Sequence, residues 1–77
     1  MVKPTRVSNV IKSLRFAAGE MTQAELAERI GVTRQTVIAI EQGRYSPSLE
    51  MAFQIAHVFG VRLDEVFTYD DGKGDPR

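Results

Sequence analysis

The 77-residue sequence contains no cysteine, which excludes disulfides and thiolate zinc sites. Its single histidine, His57, excludes multi-histidine metal sites and has neither a second imidazole nor an evident nucleophile with which to form a catalytic triad. No stretch approaches the roughly 18 apolar residues of a membrane span, and the N-terminus lacks the apolar region of a secretory signal. We therefore expect a cytoplasmic protein with no catalytic activity, metal, cofactor or membrane association.

The chain is also too short for more than one domain. Hydrophobic residues make up 43% and charged residues 26%, which is typical of a globular domain rather than a disordered one. A domain of this size without disulfides or zinc depends on well-packed helices, on self-association, or on both. We expect an N-terminal arm over residues 1–6, a folded domain over 7–69 and a disordered acidic tail over 70–77.

Charges are unevenly distributed along the chain, although the net charge is zero. Up to Ser48 there are seven basic and four acidic residues, and from Leu49 onward there are three basic and six acidic ones. This asymmetry indicates a basic working face and an acidic rear face.

Apolar spacing predicts a first helix over residues 6–17. Val7, Val10, Ile11 and Leu14 recur at the i, i+3, i+4 and i+7 positions that line one helical face. No strand pattern is evident, so the expected fold class is all-α.

Two short helices with a tight connection follow. Thr22 and Glu25 have the spacing of a capping box, which predicts a second helix that begins at residue 23 and stops before Gly31. Thr33 is a good N-cap for a third helix over residues 34–42. Only Gly31 and Val32 separate the second helix from this cap, so the turn is very tight.

Ser48 and Gly60 bracket a fourth helix over residues 49–59, and a short fifth helix is expected over about 63–67. Apart from a narrow polar stripe that includes His57, the fourth helix is apolar, which predicts burial on several sides. That burial is either in the core alone or partly in a dimer surface. The dimer surface would also contain Leu63, Val66, Phe67 and Tyr69.

The exposed side of the third helix carries groups suited to DNA base edges. It presents two amides, a guanidinium and two apolar side chains, provided by Arg34, Gln35, Ile38, Ala39 and Gln42. Arginine pairs with guanine, glutamine pairs with adenine, and alkyl groups contact the thymine methyl. A merely solvated helix face is the alternative, and the tight turn before the helix favours DNA.

Further polar residues flank this helix on both sides. Gln23 opens the second helix, and Arg44 and Tyr45 follow the third, so these side chains could hold phosphates on both sides of a groove. The six aromatic residues lie mostly at core-like positions or outside the groove face, whereas single-stranded RNA readers present aromatic stacking platforms. Duplex DNA is therefore favoured over RNA.

Residues 22–37, together with 40–44, resemble the helix-turn-helix of the phage repressor and Cro family, also called the xenobiotic-response-element family. The similarity continues through residues 47–50 and 59–67, and it covers residues 7–69 as a whole. It implies a compact five-helix, lambda-repressor-like domain that binds double-stranded DNA operators as a symmetric dimer, with the third helix in the major groove.

The resemblance also implies roles for individual residues. By position, Gln23 and Thr33 would hold phosphates, Arg34 and Gln35 would contact bases, and Arg44 would contact the DNA backbone. The family commonly has a polar residue where Ile38 or Ala39 stands, which implies methyl contacts or none at these two positions. The complete predicted DNA-binding set is Gln23, Thr33, Arg34, Gln35, Thr36, Ile38, Ala39, Gln42, Arg44 and Tyr45.

Glu41 shares the core-facing side of the third helix with Val37 and Ile40. A carboxylate is not stable there without a partner, so we predict an ion pair with Arg15 of the first helix. The family resemblance implies the same pairing.

The sequence therefore predicts a sequence-specific, homodimeric DNA-binding transcriptional regulator. The first alternative is an antitoxin that uses the same DNA-binding domain while its acidic C-terminal half holds a toxin protein. The second alternative is a protein-interaction module of this fold that does not bind DNA.

Overall fold

The computed structural model describes residues 5–69, so residues 1–4 and the predicted acidic tail at 70–77 lie outside the described part. In chain order, the elements are β1 (Val7–Asn9), α1 (Ile11–Ala17), α2 (Gln23–Ile30), α3 (Arg34–Glu41), α4 (Leu49–Phe59), α5 (Leu63–Val66) and β2 (Phe67–Tyr69). The described residues form five helices, as predicted. The fold is not strictly all-α, because two short strands join them.

The two strands pair antiparallel and bring together the two ends of the described chain. Next to them, the Val10 N–H donates to the Val66 carbonyl at 3.0 Å, which fixes the start of α1 against α5. The register pairs Val7 with Tyr69, Ser8 with Thr68 and Asn9 with Phe67.

The predicted start of the first helix at residue 6 is wrong, because α1 begins at Ile11. Valine spacing fits a helical face here, but β-branched residues also favour strands, and β2 supplies the pairing partner. Asn9 marks the boundary between β1 and α1, since its Oδ1 accepts a hydrogen bond from the Ile11 N–H at 3.1 Å. Its Nδ2 donates to the Ile40 carbonyl at 2.9 Å, so the same side chain ties β1 to the end of α3.

The core draws on all five helices. The largest fully buried side chains are Ile11, Leu26, Val37, Ile40, Ile55 and Val66. Full burial of an aliphatic side chain of this kind stabilises a fold by about 1.5–3 kcal/mol. Because α3 contributes two of these side chains, its orientation is fixed by the packing of the whole domain.

The fourth helix has the predicted bounds, and the Ser48 hydroxyl caps it by accepting from the Met51 N–H at 3.1 Å. Its apolar arc is only partly buried, because Leu49 and Phe53 are 68% and 54% exposed. His57 is exposed, as the polar stripe predicted.

The fifth helix ends at Val66, one residue earlier than predicted, because Phe67 already belongs to β2. Arg62 at its N-cap position has no capping hydroxyl or carboxylate. The Glu65 carboxylate compensates in part, since its Oε1 accepts from the Arg62 N–H at 2.7 Å.

The loop between α1 and α2 contains a non-glycine residue, Glu20, with a φ of 60° directly after Gly19 at 82°. Side chains with a Cβ are disfavoured in this left-handed region. We expect Glu20→Gly to raise the free energy of unfolding by about 1 kcal/mol and the melting midpoint by about 4–8 °C, measured by thermal denaturation.

A matched control for this loop is Glu28→Gly within α2, where the backbone is helical. The same replacement there should lower the melting midpoint, because glycine is a poor helix former. A fall in the midpoint for both variants would contradict the assignment of strain to Glu20.

Candidate nucleic-acid interface

The start of α2 is fixed by reciprocal hydrogen bonds between Thr22 and Glu25. The Glu25 N–H donates to Thr22 Oγ1 at 3.0 Å, and the Thr22 N–H donates to Glu25 Oε1 at 2.8 Å. Both Thr22 groups lower the pKa of the Glu25 carboxyl, the backbone N–H more than the hydroxyl. The predicted capping box is confirmed, and it holds the first turn of α2 in place.

The turn from α2 to α3 is as tight as predicted. Gly31 adopts a left-handed conformation with φ 75°, which a residue without a Cβ adopts at low cost. The Val32 N–H then donates back to the Ala27 carbonyl at 3.0 Å. Thr33 caps α3, with its Oγ1 accepting from the Thr36 N–H at 3.2 Å. The turn therefore fixes the angle between the two helices through local hydrogen bonds.

The third helix divides into a buried side and an exposed first turn. Val37 and Ile40 are each 1% exposed and anchor the helix in the core. Arg34 and Gln35 are exposed at its start, and Thr36 is half-buried. The Thr36 hydroxyl shares a hydrogen bond of 3.1 Å with the Thr33 hydroxyl. The predicted reading face is therefore concentrated at the N-terminal end of the helix.

Two members of the predicted reading face, Ile38 and Ala39, are half-buried. They present less surface than the helical spacing suggested, because α3 is packed against neighbouring elements over more than its core-facing side.

The predicted ion pair between Arg15 and Glu41 is confirmed. Arg15 Nε lies 2.7 Å from Glu41 Oε2, and the two side chains are only 8% and 9% exposed. A second hydrogen bond runs from Arg15 Nη2 to Glu41 Oε1 at 3.1 Å, so the contact is bidentate. Arg15 Nη1 donates to the Met21 carbonyl at 2.8 Å, which ties α1 to the loop before α2.

Gln23 joins this network, a contact that was not predicted. Its Nε2 donates to Glu41 Oε1 at 3.2 Å, and the residue is half-buried. The Glu41 carboxylate thus connects α1, α2 and the C-terminal end of α3. It also holds the side chain that was predicted to contact a phosphate.

The residues that follow α3 form their own contact. Arg44 Nε donates to Gln42 Oε1 at 2.7 Å, so this amide oxygen already has a partner. The guanidinium keeps its other N–H groups for a further acceptor. Tyr45 is 45% exposed next to it, as expected for a residue outside the core.

The structure adds Lys12 and Ser13 to this surface. Both are exposed on α1, and they line a surface depression together with Gln23 and Gln42. Apart from the basic character of the N-terminal half, no pattern in the sequence indicates this arrangement, because it depends on how α1 packs beside α2 and α3.

The predicted dimer set does not lie entirely at the surface. Val66 is 1% exposed and belongs to the core, since the single turn of α5 faces it inward. Leu63 and Phe67 are half-buried and Tyr69 is 64% exposed. These three side chains line one largely apolar groove beside Val7 of β1.

Within residues 5–69, no group of three or more His, Cys, Asp or Glu side chains is arranged to hold a metal ion. No helix in this part of the chain is long and apolar enough to cross a membrane.

The geometry of α2, the turn and α3 defines a helix-turn-helix domain. A helix-turn-helix family model matches residues 11–66, and the chain belongs to this family, of the Cro/C1 type. Members of the family are DNA-binding transcriptional regulators and not enzymes.

Relatives occur in archaea, bacteria and phage. An uncharacterised HTH-type transcriptional regulator of Methanocaldococcus jannaschii is 49% identical over 65 residues, which are 84% of this chain and 97% of the relative. A Bacillus subtilis regulator described in the same way is 43% identical over the same shares of both chains. The cryptic phage CTXphi transcriptional repressor of Vibrio cholerae is 37% identical over 77% of this chain and 52% of its own length.

The fold also occurs among solved structures. The crystal structure of a candidate DNA-binding protein from Bacteroides fragilis aligns with a TM-score of 0.70 and 26% sequence identity. The alignment covers 80% of this chain and 98% of the other.

Proposed function

We propose that this regulator binds an operator in double-stranded DNA as a homodimer, with α3 of each copy in the major groove. The observation that carries the proposal is the exposed first turn of α3, where Arg34 and Gln35 project from a helix whose other side is fixed in the core. Readout of bases requires side chains held in a defined direction, and Val37, Ile40 and Glu41 hold this helix.

The chemistry of the exposed turn suits direct readout. Arg34 can donate two hydrogen bonds to guanine O6 and N7, and Gln35 can pair with adenine N6 and N7. Ile38 and Ala39 are half-buried, which limits them to methyl contacts at the edge of the groove. We therefore assign most of the base preference to Arg34 and Gln35.

The flanking polar residues would hold the DNA backbone. Gln23 and Thr33 lie at the starts of α2 and α3, and Arg44 and Tyr45 follow α3. Contacts of this kind fix the register of a protein on DNA without reading its sequence. Gln42 contributes by orienting the Arg44 guanidinium through their hydrogen bond.

The groove lined by Leu63, Phe67 and Tyr69 is the proposed dimer surface. Arg62 and Asp64 lie on the same surface and are exposed, so it carries both signs of charge. In a two-fold symmetric interface a residue of one copy contacts a different residue of the other, and a surface with both charges can therefore pair with itself.

Selection of bound sequences from random duplex DNA tests this proposal. We expect a pseudo-palindrome whose half-site centres lie about 10 bp, or about 34 Å, apart, because two recognition helices related by a two-fold axis enter successive major grooves. Sedimentation of the protein with the selected duplex should give two chains per duplex. A monomer at tens of micromolar, both free and on the selected site, would contradict the dimer.

A further inference from the structure

Lys12 and Ser13 precede the helix-turn-helix in sequence, yet they lie on the same surface as its phosphate-contacting candidates. Both belong to the first turn of α1 and both are exposed. They line one depression with Gln23, from the start of α2, and Gln42, which follows α3. Hydrogen-bond donors from three separate parts of the chain therefore converge on one place.

The net positive charge of this depression comes from Lys12. The two other charged residues that line it, Arg15 and Glu41, neutralise each other in the buried ion pair. Among residues 5–69, the Lys12 ammonium has no ion-pair partner. An exposed cation beside an ion pair that is already neutral is suited to binding a single anionic group.

The amide of Gln23 is positioned to assist. Its Nε2 carries two hydrogens, and one of them is donated to Glu41 Oε1 at 3.2 Å. The second hydrogen remains for another acceptor, while the bond to Glu41 keeps the amide nitrogen from turning away. The Ser13 hydroxyl provides a further donor at the rim of the depression.

We propose that this depression binds one phosphate of the DNA backbone, held by Lys12, Ser13 and Gln23. The proposal rests on the proposed function and deepens it, because it places a DNA contact on α1, outside the helix-turn-helix. Such a contact is independent of base sequence, so it adds affinity and fixes register but does not select the operator.

Lys12→Ala tests the phosphate contact through the salt dependence of binding. Each neutralised phosphate contributes about 0.9 to the slope of log affinity against log salt concentration, so the loss of two lysines from a dimer should make the slope shallower by about 1.8. Binding to the selected duplex and to a scrambled duplex should weaken by similar factors, about tenfold or more, as for a charge-assisted hydrogen bond. Lys12→Arg should keep most of the slope.

The matched control is Arg29→Ala. Arg29 is also an exposed cation, but it lies at the other end of α2 and lines a different depression with Phe53 and His57. Its removal should leave the salt slope unchanged. Thermal melting of each variant checks the fold, and Lys12→Gln repeats the test with a side chain of similar length if Lys12→Ala melts early.

Methylphosphonate substitution of single phosphates in the selected duplex locates the contact. At one position in each half-site, wild-type protein should lose about tenfold in affinity while Lys12→Ala protein loses clearly less, because its charged partner for this phosphate is already absent and only Ser13 and Gln23 remain. An unchanged slope for Lys12→Ala, with base preference intact in the wild-type protein, would overturn this phosphate site alone. Failure of the wild-type protein to bind any duplex at low salt would instead overturn the proposed function.

Discussion

Arg15→Ala is expected to lower the free energy of unfolding by about 3–5 kcal/mol, since it leaves a carboxylate with low exposure and no charged partner. The Glu41 side chain is only 9% exposed and accepts two hydrogen bonds from Arg15. The Met21 carbonyl loses its Arg15 donor at the same time. For a domain of this size, a loss of 1 kcal/mol lowers the melting midpoint by about 4–8 °C, so the midpoint should fall by at least about 12 °C.

Thermal denaturation followed by circular dichroism measures this effect, and Arg29→Ala is its control. Arg29 is an exposed cation in the last turn of α2, and it does not line the proposed dimer surface. Exposed charges contribute little, because water screens them, so the midpoint of Arg29→Ala should stay close to that of the wild type. If Arg15→Ala melts no earlier than Arg29→Ala, the buried pair does not stabilise the domain.

Replacing both charges separates the structural role of the pair from its effect on DNA binding. The double variant Arg15→Met with Glu41→Leu removes the uncompensated charge, and a buried ion pair is often replaced by apolar side chains without loss of stability. It also removes the acceptor that holds Gln23 Nε2. We therefore expect recovery of much of the melting midpoint but weaker DNA binding than in the wild type.

Local signals in the sequence were sufficient for the helix-turn-helix. The Thr22 and Glu25 capping box, the left-handed Gly31 and the Thr33 cap each act within three or four residues, so their chemistry does not depend on the rest of the chain. The Arg15–Glu41 pair spans 26 residues, yet it was also predicted, because an acidic residue on an apolar helix face requires a partner.

The two strands depend on pairing that the sequence does not display locally. Val7 lies opposite Tyr69, and the intervening chain must fold before these residues meet. The valine spacing at the N-terminus is compatible with both a helix and a strand. The hydrogen bonds of Asn9 with Ile11 and Ile40 stabilise a strand that ends at Asn9 and a helix that begins at Ile11. One of these partners is distant in sequence, so the choice could not be made from residues 5–17 alone.

The candidate site also combines features that local sequence predicts with features that only the packing of the helices reveals. Arg34 and Gln35 were predicted from the helical face, and both are exposed. The contact of Gln23 with Glu41 and the convergence of Lys12 on the same depression required knowledge of how three helices pack. Helical periodicity gives the direction of a side chain on its own helix, and packing determines which other helix it meets.

Arg34→Ala and Gln35→Ala should each weaken binding to the selected duplex by about 1–3 kcal/mol and flatten the preference at one or two base pairs. Both side chains are exposed in the first turn of α3, so their loss should have little effect on the fold. Non-specific binding should change less, because it depends on phosphate contacts. Titration of specific and scrambled duplexes at several salt concentrations measures both effects.

Arg44→Ala provides the contrasting result. Arg44 lies in the loop after α3 and is oriented by Gln42 Oε1 at 2.7 Å, so we assign it to a phosphate. Its loss should weaken binding to all sequences by similar factors and lower the salt slope by about one unit for each phosphate released. Base preference should remain, because Arg34 and Gln35 are intact. If Gln35→Ala retains the full base preference while Arg44→Ala loses it, α3 is not the reading element and the loop after it is.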